Sequence, residues 1–133
     1  MEKSQIEIKR IYDPPSERDG KRILVDRLWP RGVKKEQAHL DVWLKDIAPN
    51  PDLRLWFGHD RERYGEFRIR YLDELATNPI KREMVKQLLD DAKIQPVTLL
   101  FAAKDVEFNH AVVLREMLID LAKTQEESND CRA

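Results

Sequence analysis

The residues best suited to chemistry lie together in residues 26–32, which have the sequence DRLWPRG. This segment contains two arginines and one aspartate, together with a tryptophan, a proline and a glycine. Arginine binds carboxylates and phosphates through paired hydrogen bonds, and its burial is costly without such a partner. The segment follows the apolar run 23–25, which predicts a strand, and open α/β proteins bind ligands where strands end. Residues 26–32 therefore predict an anion-binding site.

A second polar group follows the most apolar run of the chain, residues 96–103. Asn109 is predicted to cap a last helix, whose free N–H groups and partial positive charge favour an anion. If the second and last strands are parallel, their carboxyl ends lie at one edge of the sheet, and the two polar groups meet there. The residues expected to bind the anion are Arg27, Arg31, Lys104, Asn109 and Trp29, with Tyr12 if the first strand is also parallel.

Three residues are candidates for holding or transferring a proton at this edge. His110 belongs to the second polar group, and Asp26 can orient either the histidine or an arginine. His59 follows a glycine in a loop beside Asp60 and is a candidate acid or base, although such a histidine is also common in turns.

A structural interpretation of the same residues stays open. Arg27 can pair with Asp26 and brace the sheet. Arg31 can stack on Trp29, and Asn109 can be a helix cap and nothing more.

The composition limits the classes of function. Among 133 residues, 24 Lys and Arg stand against 25 Asp and Glu, which gives a formal net charge of -1. Non-specific nucleic-acid binders carry a basic excess, so an anion site here has to be local. The single cysteine, Cys131, allows no internal disulfide and no zinc cage. No metal or cofactor is predicted, because the sequence contains no pattern for either.

No segment indicates export or a membrane span. Residues 1–5 lack the apolar segment of a signal peptide, and no apolar run approaches the roughly 20 residues that cross a bilayer. Together with the lone cysteine, this predicts a cytoplasmic protein without a membrane partner. The oligomeric state has no signature in the sequence.

Three strands have to position these side chains. Alternating apolar and polar residues in 6–12 predict a first strand near a sheet edge. Residues 22–28 and 96–103 have the apolar centres of buried strands, and a long helical segment between them favours a parallel pair. The direction of the first strand stays open, because a short loop connects it to the second. We predict an α/β fold with a small, mostly parallel sheet of about three or four strands, flanked by helices in one layered domain. Its bounds are residues 1–123, before a polar, disordered tail at 124–133.

The helices are predicted from caps and apolar stripes. The pairs Asn50-Pro51 and Asn78-Pro79 each join a capping residue to a proline in the first turn. The stripes expected to face the core are Tyr64-Phe67-Tyr71-Leu75 and Ile80-Met84-Leu88-Leu89. A further short helix is expected around Trp43, Leu44 and Ile47, with Trp43 in the core.

Segments along nearly the whole chain, up to about residue 123, resemble the YeaO-like proteins, a bacterial family of unknown function. The resemblance rests on residues 9–13, 22–32, 97–104 and 109–111, together with Trp43, Lys45, Pro49, Phe67, Tyr71 and Leu75. The run LVDRLWPRG is its longest and most specific part. The family has no established activity, so the resemblance implies none.

More distant relatives in that superfamily carry an Asp-Val-Arg motif at the second strand and a Cys-His-Arg motif after the last. By this resemblance, Asp26 and His110 correspond to motif residues, and Arg27 is a further candidate. Asn109 replaces the cysteine and Ala111 the arginine. The resemblance therefore does not carry cysteine chemistry over to this chain.

Two functions remain under consideration. The first is binding, or acting on, a small anionic ligand, phosphate-bearing or nucleotide-like, at the C-terminal edge of the strands. The alternative is a nucleic-acid-binding or protein-interaction accessory domain without catalysis. Whether the chain is an enzyme is not decided by the sequence. A concave pocket between the two polar groups favours the first function, and a flat basic face or an exposed apolar patch favours the second.

Overall fold

The computed structural model describes the backbone of residues 5–132 and the side chains of residues 5–125. Four strands form one sheet in the order β1-β4-β2-β3, and every neighbouring pair is parallel. They are β1 (Ile6–Arg10), β2 (Lys21–Leu24), β3 (Val42–Trp43) and β4 (Val97–Phe101). All four carboxyl ends lie at one edge, and the predicted α/β class with a small parallel sheet is confirmed.

The described residues contain five α-helices and three short 3-10 turns. The helices are α1 (Lys35–Ala38), α2 (Pro51–Phe57), α3 (Tyr64–Thr77), α4 (Pro79–Ile94) and α5 (His110–Arg132). The backbone of α5 continues through residues 124–132, where the sequence predicts a tail. Because the side chains of 126–132 and all of Ala133 lie outside the described residues, the limits 1–123 and 124–133 stay predictions. No helix in the described part of the chain is long and apolar enough to cross a membrane.

Both faces of the sheet are covered, as the two-sided burial of parallel strands requires. Ile23, Leu99 and Phe101 point to one face and pack against the helices after β3. Leu24 and Leu100 point to the opposite face, where Ala38 of α1 joins them. Alternation along β2 and β4 thus sends successive side chains into two cores.

The first strand is parallel to the others, which settles the direction that the sequence left open. β4 lies between β1 and β2, so the connection formed by residues 11–20 joins strands that are not neighbours. This connection ends at Gly20, whose φ is +66° and where an added Cβ would lie 2.1 Å from the carbonyl oxygen of Pro96. Only glycine fits so close to the neighbouring backbone.

Four local predictions are wrong. The helix expected around Trp43 is a two-residue strand followed by a 3-10 turn at Lys45–Ile47. Trp43 itself is 36% exposed, because it lies on the outermost strand. β2 ends at Leu24, several residues earlier than predicted. Ile80 is exposed, since the buried stripe of α4 begins one position later, at Lys81.

A buried charge cluster joins the connection of residues 11–20 to the first two strands. Asp19 accepts hydrogen bonds from the side chains of Lys9 and Arg22 and from the backbone N–H of Ser16. Arg22 is 5% exposed and also donates to the carbonyls of Ala38 and His39. Burial raises the pKa of Asp19, but these hydrogen bonds outweigh it, and the net pKa is lowered. The stabilisation is therefore complete above the unfolded pKa and is lost as pH falls through the folded pKa.

We expect Asp19→Asn to lower the free energy of unfolding by about 2–4 kcal/mol at pH 7, because buried Arg22 loses its counter-charge. Urea denaturation measures the change. The matched control, Glu66→Gln, removes an exposed ion pair with Arg70 and should cost less than about 1 kcal/mol. Equal losses in the two variants would contradict the structural role given to the cluster.

Candidate ligand-binding site

A cavity of about 760 Å³ lies at the carboxyl edge of the sheet. The segments that follow β2 and β4 form two of its walls, and α2 with its C-terminal turn forms a third. Every site residue predicted from the sequence lines it: Tyr12, Asp26, Arg27, Trp29, Arg31, His59, Lys104, Asn109 and His110. The geometry brings these side chains together, and their functional roles stay predictions.

Asp26 connects the two central strands at this edge. Its Oδ2 accepts a 2.9 Å hydrogen bond from the backbone N–H of Ala102, just past β4. Its backbone carbonyl accepts a 2.7 Å hydrogen bond from Nε1 of Trp43. Its other carboxylate oxygen, Oδ1, is buried and accepts no hydrogen bond within the described residues. The carboxylate is therefore fixed in position while one oxygen keeps its hydrogen-bonding capacity.

His110, the first residue of α5, is tied to the end of β2. Its Nε2 lies 2.9 Å from the carbonyl oxygen of Val25 and 3.3 Å from Oδ1 of Asp26. A carbonyl oxygen only accepts hydrogen bonds, so Nε2 carries the proton in the neutral ring. Any proton that the neutral His110 takes up therefore goes to Nδ1, and Nε2 is occupied with holding the ring in place.

Arg27 is directed at the segment 46–49 and does not pair with Asp26. Its Nη2 lies 3.4 Å from the carbonyl oxygens of both Ala48 and Pro49, and its Nη1 lies 3.6 Å from Oδ1 of Asp46. Its Nε is buried without a partner among the described residues. Much of this guanidinium is thus committed to the loop that forms one side of the cavity.

Lys81 supports the same loop from behind, and the sequence analysis did not identify it. It is 2% exposed and donates from Nζ to the carbonyls of Asp46, at 2.8 Å, and Ala48, at 2.7 Å. Burial lowers the pKa of Lys81; the charge of Glu74 opposes this, the charge of Arg27 adds to it, and Asp46 opposes it more weakly. Its spacing to Val85 and Leu88 on α4 is the signal that could have revealed a lysine at a core position.

Three cations at the cavity are exposed and uncommitted. Arg31, Arg54 and Lys104 line the cavity, and within the described residues none forms an ion pair with a carboxylate. Arg54 was not predicted, because the sequence does not show which side of α2 faces the sheet edge. The positive charge that is free to meet a ligand therefore lies at the mouth of the cavity.

The loop between β4 and α5 is held by its own hydrogen bonds and by the 3-10 turn at Arg61–Arg63. Asp105 accepts from the backbone N–H groups of Glu107 and Phe108 and from Nε of Arg61, at 2.9 Å. The Arg61 guanidinium, and next the Phe108 N–H, lower the pKa of Asp105. Asn109 donates to the carbonyl of Asp105 and accepts from the N–H of Val112, which is the cap that the sequence predicts for α5.

The remaining predicted residues have identifiable structural contacts. Nε1 of Trp29 donates to the carbonyl of Val33 at 2.7 Å, and its ring meets Trp43 edge to face rather than Arg31. Tyr12 donates from its hydroxyl to the carbonyl of Arg31 at 2.9 Å. His59 is exposed at φ 60°, a left-handed conformation that a non-glycine residue adopts at some cost in energy. Each of the three shapes the cavity wall.

No group of three or more histidine, cysteine or acidic side chains able to hold a metal ion occurs in the described part of the chain.

We expect Asp105→Asn to loosen the loop, because the amide cannot match the charge-assisted hydrogen bond with Arg61. Hydrogen exchange should become faster at the amides of Glu107 and Phe108. The matched control, Glu116→Gln, removes an ion pair of Arg68 away from the loop and should leave those amides unchanged. In the parent protein, protection of these amides should persist as pH falls to the ordinary aspartate pKa and be lost only below it. Unchanged protection in Asp105→Asn would contradict this account of the loop.

Curated relatives match nearly the whole chain, and all of those compared are uncharacterised. Protein YeaO of Escherichia coli (strain K12) is 49% identical over 116 residues, which cover 87% of this chain and 98% of the relative. Proteins of Mycobacterium bovis and of Mycobacterium tuberculosis (strain H37Rv) are each 36% identical over 118 residues, covering 89% of this chain and 97% of each relative. No solved structure gives a significant match.

A family model agrees with these relatives. The model of DUF488-N3i, described as the inactive DUF488-N3 subclade, matches residues 5–133. That match includes both polar segments of the cavity and the strands before them. The chain therefore belongs to the inactive DUF488-N3 subclade, the group of uncharacterised proteins to which the resemblance with the YeaO-like family points.

Proposed function

We propose that the cavity binds a small anionic ligand that is phosphate-bearing or nucleotide-like. The observation that carries the proposal is the convergence of Arg31, Arg54 and Lys104 on one concave site without carboxylate partners in the described residues. Uncompensated cations around a cavity concentrate anions and form charge-assisted hydrogen bonds with them. The volume of about 760 Å³ lies within the range of small-molecule sites.

The N-terminus of α5 also favours a negatively charged ligand. Asn109 and His110 line the cavity, so the N-terminal end of this long helix lies at its wall. The partial positive charge of a helix N-terminus adds to the field of the three mouth cations. Asp26 and Asp105 oppose it, but Asp105 is already paired with Arg61.

Binding without a reaction is the form of the function that we propose. The position where the resemblance places a cysteine is Asn109, which is 2% exposed and engaged at both polar atoms as a helix cap. His110 has one ring nitrogen occupied by the carbonyl of Val25. Asn109 offers no nucleophile to the cavity, and binding without a reaction agrees with the description of the family as inactive.

The alternative of a nucleic-acid-binding domain has less support. The arginine-rich face beginning at Arg61 is neutralised residue by residue. Arg61 pairs with Asp105, Arg68 with Glu116, and Arg70 with Glu66. A surface whose cations are already paired offers little free charge to a phosphate backbone.

Replacing Arg31 or Arg54 by alanine is expected to weaken anion binding by about 10- to 100-fold, the loss for one charge-assisted hydrogen bond. Isothermal titration calorimetry with the five common nucleoside 5′-monophosphates and pyrophosphate measures it. Both side chains are exposed, so the melting temperature should change by less than a few degrees.

The matched control is Arg82→Ala, which removes an exposed arginine of α4 that does not line the cavity. It should leave the dissociation constants unchanged. The absence of binding by every probe, or equal losses in Arg82→Ala and Arg31→Ala, would overturn the proposal.

A further inference from the structure

The lining of the cavity changes in character with depth. Phe57 and Phe67 are 5% and 1% exposed, and with Ala48 and Pro49 they form a buried, apolar floor. The uncommitted cations lie at the mouth, as described above. A small, fully hydrated ion such as inorganic phosphate has nothing to gain from such a floor, because burying a charge against apolar groups is costly. The floor suits an uncharged, apolar or planar group.

The charges at intermediate depth reinforce this division. The carboxylate of Asp26 lines the cavity with its side chain 17% exposed, more than the buried floor and less than the exposed cations, and it repels an anion beside it. The side chain of Arg27 is 25% exposed, but its guanidinium is directed at Asp46 and at the carbonyls of Ala48 and Pro49. An anionic group is therefore favoured at the mouth and disfavoured further in.

Asp26 also specifies what the inner end of a ligand should carry. Its Oδ1 is buried and accepts no hydrogen bond in the described part of the chain, since Nε2 of His110, 3.3 Å away, is directed at the carbonyl of Val25. Buried polar atoms nearly always have a partner. Oδ2 is held by the Ala102 N–H, so Oδ1 is the carboxylate oxygen that has hydrogen-bonding capacity left for a ligand. A ligand N–H or O–H that reaches it supplies the missing hydrogen bond.

From these three observations we propose that the cavity selects an amphipathic anion of the nucleoside monophosphate class and binds it in one orientation. The phosphate lies at the mouth among Arg31, Arg54 and Lys104. The uncharged, planar end lies on Phe57 and Phe67 and donates a hydrogen bond to Asp26. This inference rests on the proposed function and deepens it, because it excludes inorganic phosphate and pyrophosphate as sufficient ligands.

The test compares dissociation constants of the five common nucleoside 5′-monophosphates, ribose 5-phosphate and pyrophosphate by calorimetry, in the parent protein and in Asp26→Asn. At least one monophosphate is expected to bind 10-fold or more tightly than ribose 5-phosphate and pyrophosphate. Asp26→Asn should affect the two kinds of ligand differently. The affinity for the preferred nucleotide should fall at least fivefold, since the acceptor is lost. The affinity for pyrophosphate should stay the same or rise, since a repelling charge is removed.

A second variant guards against a change in the fold of Asp26→Asn. Phe57→Leu keeps an apolar floor but loses the planar ring, and it should weaken the nucleotide more than pyrophosphate. Pyrophosphate binding as tightly as every nucleotide, while still depending on Arg31, would overturn this inference and leave anion binding standing. Tighter binding of both kinds of ligand by Asp26→Asn would overturn it as well. Loss of all anion binding in the parent protein would instead sink the proposed function and this inference together.

Discussion

The hydrogen bond from the Ala102 N–H to the carboxylate of Asp26 holds the candidate site together. β2 and β4 are neighbouring parallel strands, and this bond joins the chain just after one to the chain just after the other. His110 adds a second tie, because its Nε2 binds the carbonyl of Val25. The two polar segments that leave the sheet here are therefore fixed relative to each other, and the cavity lies between them.

The cations around the cavity fall into two groups with different tasks. Arg27 and Lys81 are directed at carbonyls of the segment 46–49 and hold that loop in place. Arg61 does the same for the loop between β4 and α5, through Asp105. Arg31, Arg54 and Lys104, which pair with no carboxylate among the described residues, lie on the segments that these contacts hold in place or next to them. Structural and functional interpretations of the basic residues thus both apply, but to different side chains.

Much of the fold follows from local patterns, and the exceptions have physical reasons. The apolar run before Lys104 and the alternation near Ile6 mark strands, because burial on two faces or one leaves a clear pattern. β3 has only two residues and forms through pairing with β2, so it is too short to show a periodic pattern in the sequence. The buried stripe of α4 includes Lys81, which a search for apolar residues omits, because its amine reaches loop carbonyls while its stem is buried.

The clustering of the candidate residues was also predictable, because parallel strands bring their carboxyl ends to one edge. The partner that each of these side chains contacts was not predictable. Whether Arg27 meets Asp26 or Asp46 depends on how the segment 46–49 packs, and that in turn depends on Lys81, which is distant in sequence. The contribution of Arg54 depends on the rotation of α2 about its axis. Such tertiary relations leave no mark in a short sequence window.

A crystal structure of the protein soaked with its tightest-binding nucleoside monophosphate tests the central claim most directly. We predict electron density for the phosphate at the mouth of the cavity, in contact with Arg31, Arg54 or Lys104, and density for the base against Phe57 near Asp26. A phosphate beside Asp26 would contradict the orientation. A ligand bound outside the cavity, with the three cations in contact only with solvent, would contradict the site itself.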